Sequence, residues 1–183
     1  MNKRSEQTTN ISEVIKQRRA RLALRKGYIG LLWRIILLAA AGYLLLNYVF
    51  IITQAVGNDM FPAVKDGDLI VGFRLQQTYL KTDVVVYRVD GERFIGRVAA
   101  RENDVVAMND SGIFLVNGTT QGGEILYPTY PKEGLEYPYQ VPEGHVFILG
   151  DYRTQARDSR DFGAVPLNNI EGKVITIIRR RGL

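Results

Sequence analysis

Hydrophobic and polar positions divide the chain into three textures. Residues 1–10 are polar and read as disordered. Residues 11–26 place Ile11, Val14, Ile15 and Leu22 along one edge of a basic helix. Residues 35–55 then run IILLAAAGYLLLNYVFIITQA without a charge. About 20 residues at 1.5 Å each cross a hydrocarbon core, so this run predicts a transmembrane helix. Beyond it the pattern changes to short β-branched and aromatic runs. Strands are predicted at 69–73, 84–88, 94–98, 104–108, 113–116, 145–149 and 173–178. Turn chemistry separates them: Asp66-Gly67-Asp68, Asp90-Gly91, Asn109-Asp110-Ser111-Gly112 and Asn117-Gly118. Residues 121–142, rich in Gly, Pro and Tyr, read as a long exposed insert. The class is mainly β, with one transmembrane helix ahead of the β domain.

Charge sharpens this picture. Residues 1–34 hold nine Lys/Arg against Glu6 and Glu13, a balance of +7, which leaves −2 for the rest of the chain's net +5. A basic flank on an apolar span follows the positive-inside pattern and predicts a cytoplasmic tail, 1–34, a span, 35–55, and an external domain, 56–183. The basic helix would suit an anionic inner leaflet, but a solvated positive-inside flank with no partner is the preferred reading. A cleaved leader would need a shorter apolar stretch and small residues at a cut site, for which Thr53-Gln54-Ala55-Val56-Gly57 is the nearest candidate. Length and flanking charge favour a permanent anchor in the cell membrane. No groove-reading module accompanies the basic tail, so nucleic acid is not an expected partner.

Composition narrows the chemistry. The chain has no cysteine and one histidine, His145. Thiolate catalysis, disulfides and Cys-based zinc sites are excluded, and neither a metal nor a cofactor is expected. His145 falls in a predicted strand and reads as a packed residue. Asn117-Gly118-Thr119 fits a glycosylation pattern by letter alone.

Three segments carry a stronger signal. The first is Gly57-Asn58-Asp59-Met60-Phe61-Pro62, followed by Asp66-Gly67-Asp68. The second is Phe94-Ile95-Gly96-Arg97-Val98, ending at Asn103-Asp104. The third is Gly150-Asp151-Tyr152-Arg153, continuing through Ala156, Asp158, Ser159 and Arg160 to Phe162-Gly163 and Val165-Pro166. In order, behind an anchor, they resemble the nucleophile, lysine and Gly-Asp-Asn-Arg blocks of Gram-positive type I signal peptidases. The resemblance spans residue 56 to the C-terminus and implies that family's mixed β fold outside the membrane.

That family cuts with a Ser-Lys dyad. The serine attacks the scissile carbonyl, a buried neutral lysine takes its proton, and a hydroxyl from the third block orients the lysine. Carried onto this chain, the nucleophile position is Asp59, the base position Gly96 and the orienting position Ala156. Carboxylate attack on an amide would give an anhydride, a poor route to cleavage. The three positions therefore read as vestigial. Asp151, Arg153, Asp158 and Arg160 are expected to form a hydrogen-bonded network that fixes their loop. Gly57, Asp59, Met60, Phe61, Pro62 and Tyr152 form a candidate partner groove.

Rescue by an acid pair would join Asp59 to Asp158 or Asp104. A lysine reaching Asp59 from Lys65 or Lys81 would make an ion pair and not a dyad. The chain looks like the catalytically altered signal-peptidase-like proteins of streptococcal pilus-assembly clusters. That resemblance implies a non-catalytic chaperone or scaffold that meets pilin subunits and a pilin-specific sortase, holding an extended segment by strand addition. An active signal peptidase of altered mechanism and a generic membrane-bound binding module are the alternatives. A sortase-like enzyme fails for want of a cysteine.

Overall fold

The computed structural model describes residues 3–121 and 127–179. The chain divides into two units, residues 1–46 and 47–183.

The first unit is helical. Helix α1 runs Lys3–Val49, so helix stands where residues 3–10 were expected to be disordered. Within it Leu24–Val49 is long and apolar enough to cross a membrane.

The expected span to residue 55 is corrected at its end: Phe50–Gln54 is strand β1. Hydropathy alone does not separate a buried strand from the end of an apolar helix. The sequence FIITQ is β-branched and aromatic, and it pairs antiparallel with β2 (Leu69–Phe73). Ile51 faces the core at 3% exposure while Ile52 faces out at 58%.

The second unit holds two sheets. The remaining strands are β3 (Val84–Val89), β4 (Glu92–Arg101), β5 (Val105–Met108), β6 (Phe114–Val116), β7 (Thr119–Thr120), β8 (Tyr139–Gln140), β9 (His145–Leu149), β10 (Val165–Pro166) and β11 (Ile170–Ile178). A short helix, α2 (Ser159–Phe162), precedes β10. The larger sheet has the order β1-β2-β11-β3-β4-β9-β10 and the smaller β7-β6-β5-β8. The architecture is mainly β with one apolar N-terminal helix. All seven strands read from the sequence are present. The two-residue strands β7, β8 and β10 were not read, because two residues show no period.

Two features position the site. Strand β4 pairs with β3 along Glu92–Arg97, but with β9 only from Arg97 onward. Among the described residues, its first half therefore has β3 on one side and no ladder on the other. The core beneath β4 contains Tyr87, Val98 and Ile148, all at 1% exposure or less.

The insert at 121–142 is corrected as well. Residues 122–126 lie outside the described residues, but the remainder is not simply exposed. Thr129 and Val141 are buried, and β8 pairs with β5.

Candidate functional site

The first block turns sharply after β1. Gly57 takes φ +81, a left-handed conformation that suits glycine, and its N–H donates to Asp66 Oδ1 at 2.8 Å. Met60 drops into the core at 3% exposure, and Val64 N–H donates to its carbonyl at 2.8 Å. Asp59 is thereby held half-buried at the turn. Its carbonyl accepts from Tyr152 N–H at 2.9 Å, joining the first block to the third. The Phe61 and Tyr152 rings lie 6.0 Å apart, and Tyr152 meets Tyr127 at 4.7 Å. A cleft of about 470 Å³ lies between the segment after β1 and the unpaired half of β4. Ala55, Gly57, Asp59, Met60, Phe94 and Ile95 are among its walls. Of the expected groove residues, Gly57, Asp59 and Met60 line this cleft, while Phe61 and Tyr152 form an aromatic contact.

Burial pushes the Asp59 carboxyl above its ordinary 3.8, and the nearby Asp158 and Asp161 charges push it the same way. A hydrogen bond from the Arg157 backbone and the Lys132 ammonium oppose this without reversing it. Of the two acid pairings considered, Asp158 falls within electrostatic reach of Asp59. Asp104 sits before β5, bound to Lys81 at 3.1 Å and Asn117 at 2.7 Å. Lys65 lies over the Phe61 ring at 5.9 Å. His145 places Nδ1 2.8 Å from the Glu143 carbonyl.

At Gly96, the expected base position, the side-chain space is occupied. A Cβ on Gly96 would meet Ile148 Cγ2 at 2.5 Å, Tyr87 Cε1 at 3.2 Å and the Leu149 carbonyl at 3.4 Å. The Tyr87 phenol is pushed well above its ordinary 10.0, first by burial and then by Asp158, Asp59 and Asp161, so it stays protonated. Ala156 is fully buried, and a Cβ on Gly150 would collide with its methyl group. The Ala156 carbonyl accepts from Lys132 Nζ at 2.7 Å, and the same ammonium reaches Asp161 Oδ2 at 2.7 Å.

The third block's four charged residues separate into different partnerships. Asp158 and Arg160 form a buried pair, Nε to Oδ1 at 2.9 Å and Nη2 to Oδ2 at 2.8 Å. Asp158 also accepts from Gly150 N–H at 3.0 Å and caps α2. Arg160 reaches the Arg153 carbonyl at 2.6 Å and the Tyr130 carbonyl at 3.3 Å. Arg153 donates to the Gly150 carbonyl at 2.7 Å and Thr129 Oγ1 at 2.8 Å. Burial pulls its guanidinium down to about 10. Asp151 is drawn away, to a bidentate pair with Arg97 at 2.8 and 2.6 Å.

Sequence reasoning missed Arg97, Lys132, Tyr87 and Ile148. Arg97 was within the second block, beside Gly96, and was the one with a readable signal.

The signal peptidase, peptidase S26, family matches residues 28–178. Signal peptidase I of Bacillus caldolyticus is 29% identical over 143 residues, covering 69% of this chain and 78% of that protein. Probable thylakoidal processing peptidase 2 of Arabidopsis thaliana is 31% identical over 134 residues, covering 64% of this chain. The chain spans 35% of that relative's length and 38% of thylakoidal processing peptidase 1 from the same plant. Among solved structures, a signal peptidase I from Enterococcus faecalis V583 aligns with a TM-score of 0.46 and 26% identity, over 54% of this chain and 97% of that one. With the family matched across most of its length, the chain belongs to the signal peptidase, peptidase S26, family.

Proposed function

We propose that this chain is a membrane-anchored, non-catalytic member of the family that assists assembly of sortase-polymerised pili at the cell surface. In this reading the tail at 1–34 is cytoplasmic, the apolar helix crosses the cell membrane once, and the β domain is extracellular. The carrying observation is the Gly96 site, which offers no base and whose side-chain space is taken by Ile148 and Tyr87. Asp59 supplies a carboxyl, with Asp158 and Asp161 close enough to raise its pKa, in place of a hydroxyl nucleophile. The cleft and the open half of β4 remain available to an extended segment, which suits a chaperone or scaffold. The pilus assignment itself rests on the likeness of a chain with this family's blocks and replaced dyad residues to the catalytically altered signal-peptidase-like proteins of streptococcal pilus-assembly clusters.

The test has two arms. Full-length protein in detergent is incubated with a signal-peptide substrate beside a genuine signal peptidase, and no cleavage is expected. The same preparation is passed over immobilised pilin subunits and pilin-specific sortase, and retention of one of them is expected. Retention of neither overturns the pilus role.

A second reading is an active peptidase with a carboxylate mechanism, favoured by the raised pKa of Asp59 near Asp158. Cleavage by the native chain that is lost in Asp59→Ala would establish it in place of the first.

A further inference from the structure

The cleft between β1 and β4 contains a charge that the chain does not neutralise. Asp59, Glu92 and Arg93 are among its walls. Among the described residues, the Asp59 carboxylate enters no ion pair. It accepts a hydrogen bond from the Arg157 backbone N–H.

The neighbouring cations serve other acceptors. Arg93 Nε donates to Glu171 Oε2 at 2.5 Å, and its Nη1 reaches Thr53 Oγ1 at 3.3 Å. Arg157 Nη1 donates to Glu92 Oε2 at 2.7 Å, with its guanidinium 5.4 Å from the centre of the Phe94 ring. Lys132 Nζ is held between the Ala156 carbonyl and Asp161 Oδ2, both at 2.7 Å. A half-buried carboxylate without a counter-ion is costly, and a cation brought to it gains more than it would in open water.

The strand beside the cleft decides which atoms of a guest reach that charge. Phe94 stacks on Tyr87 with ring centroids 5.6 Å apart, and a Cβ on Gly96 would meet the same tyrosine at 3.2 Å, so both positions share one face of β4. The Asp59 charge acts on that tyrosine and so bears on the same face. Side chains alternate along a strand, and neighbouring strands keep their faces in common. A segment added along Glu92–Ile95 therefore presents every second side chain to the Asp59 side of the cleft. A hydroxyl at position 59 would be indifferent to the charge of that side chain, whereas a carboxylate discriminates.

We infer that the extended segment held along Glu92–Ile95 carries a lysine or arginine whose cationic end pairs with the Asp59 carboxylate. This rests on the proposed holding of an extended segment in the cleft and adds a charge requirement to it.

The probes are short, end-blocked, fluorescent peptides of alternating valine and serine with one central variable residue: lysine, arginine, norleucine or glutamate. The uniform background lets the register slide until that residue meets position 59. Fluorescence polarisation with the full-length protein in detergent is expected to show lysine and arginine peptides binding about tenfold more tightly than norleucine, as a charge-assisted contact implies. The glutamate peptide is expected to bind most weakly. Asp59→Asn is expected to bring the lysine and norleucine peptides to the same affinity. Carbodiimide coupling of the bound lysine peptide, read by mass spectrometry, is expected to place the new amide at Asp59. Equal affinity of the native chain for lysine and norleucine peptides overturns the inference and leaves the holding of an extended segment standing. A lysine preference that survives Asp59→Asn, with coupling at Glu92 or Asp161, overturns the assignment to Asp59. Binding of none of the peptides overturns the holding of an extended segment, and the inference with it.

Discussion

Ile148 Cγ2 lies 2.5 Å from the point where a Cβ on Gly96 would stand. Tyr87 closes the same space from β3 at 3.2 Å. Gly96→Lys is expected to cost about 1–3 kcal/mol through overpacking. Ile148→Ala alone is expected to cost about 2–5 kcal/mol. Because the two changes share one space, the double variant should be less destabilised than their sum. Chemical denaturation of the full chain in detergent measures all three, and strict additivity would show that Ile148 does not fill the side-chain space at position 96.

Asp59→Asn should stabilise the protein at neutral pH. Burial and neighbouring acids raise its folded pKa, so the protonated carboxyl is the form the fold favours. The resulting stability is fully present below the ordinary 3.8 and is lost as pH rises through the raised folded value. An amide keeps an acceptor for the Arg157 N–H and carries no charge. The difference in melting temperature between variant and native chain should be largest near pH 7 and shrink on acidification. A constant difference across that range would contradict the assignment.

Removing Arg160 strands a carboxylate. Arg160→Ala leaves Asp158 buried at 1% exposure with its guanidinium partner gone, a loss of about 3–5 kcal/mol. It also removes the contacts to the Arg153 and Tyr130 carbonyls. Hydrogen exchange should therefore rise in residues 127–132 as well as in α2. Exchange confined to α2 would show that the insert is held by other contacts.

Glu171 sets an acid limit of its own. Burial pushes its carboxyl up, but hydrogen bonds from Arg93 and Arg88 outweigh burial and hold it below the ordinary 4.5. Its contribution is present above 4.5 and lost as pH falls through the lowered folded value. Glu171→Gln should flatten that part of the acid-denaturation curve. An unchanged slope would mean that the two arginines contribute nothing measurable through it.

The sequence made the strands legible wherever a β-branched or aromatic run of four or more residues stood between turn residues, as in Leu69–Phe73 and His145–Leu149. It failed at Phe50–Gln54, where five uncharged residues extend an apolar helix and only pairing with β2 reveals a strand. The site divides in the same manner. The identities of Asp59, Gly96 and Ala156 were readable because they are local facts. The partner of Asp151 was not, since Arg97 lies 54 residues away and the nearer Arg153 and Arg160 are taken up by the Gly150 carbonyl and Thr129 and by Asp158. Lys132 came from a segment with no periodic pattern, and only the fold brings it to Ala156 and Asp161.

The half of β4 left without a ladder has a kinetic meaning. Main-chain hydrogen bonds grip an incoming strand with little regard to its side chains. In a cutting enzyme such a grip is brief, because scission turns one occupant into two fragments that leave. In the proposed non-catalytic reading, glycine at position 96 offers no side chain to end the encounter chemically. Dwell time would then be set by the dissociation rate alone, and substitutions along Glu92–Gly96 would tune how long a segment is held without altering what becomes of it.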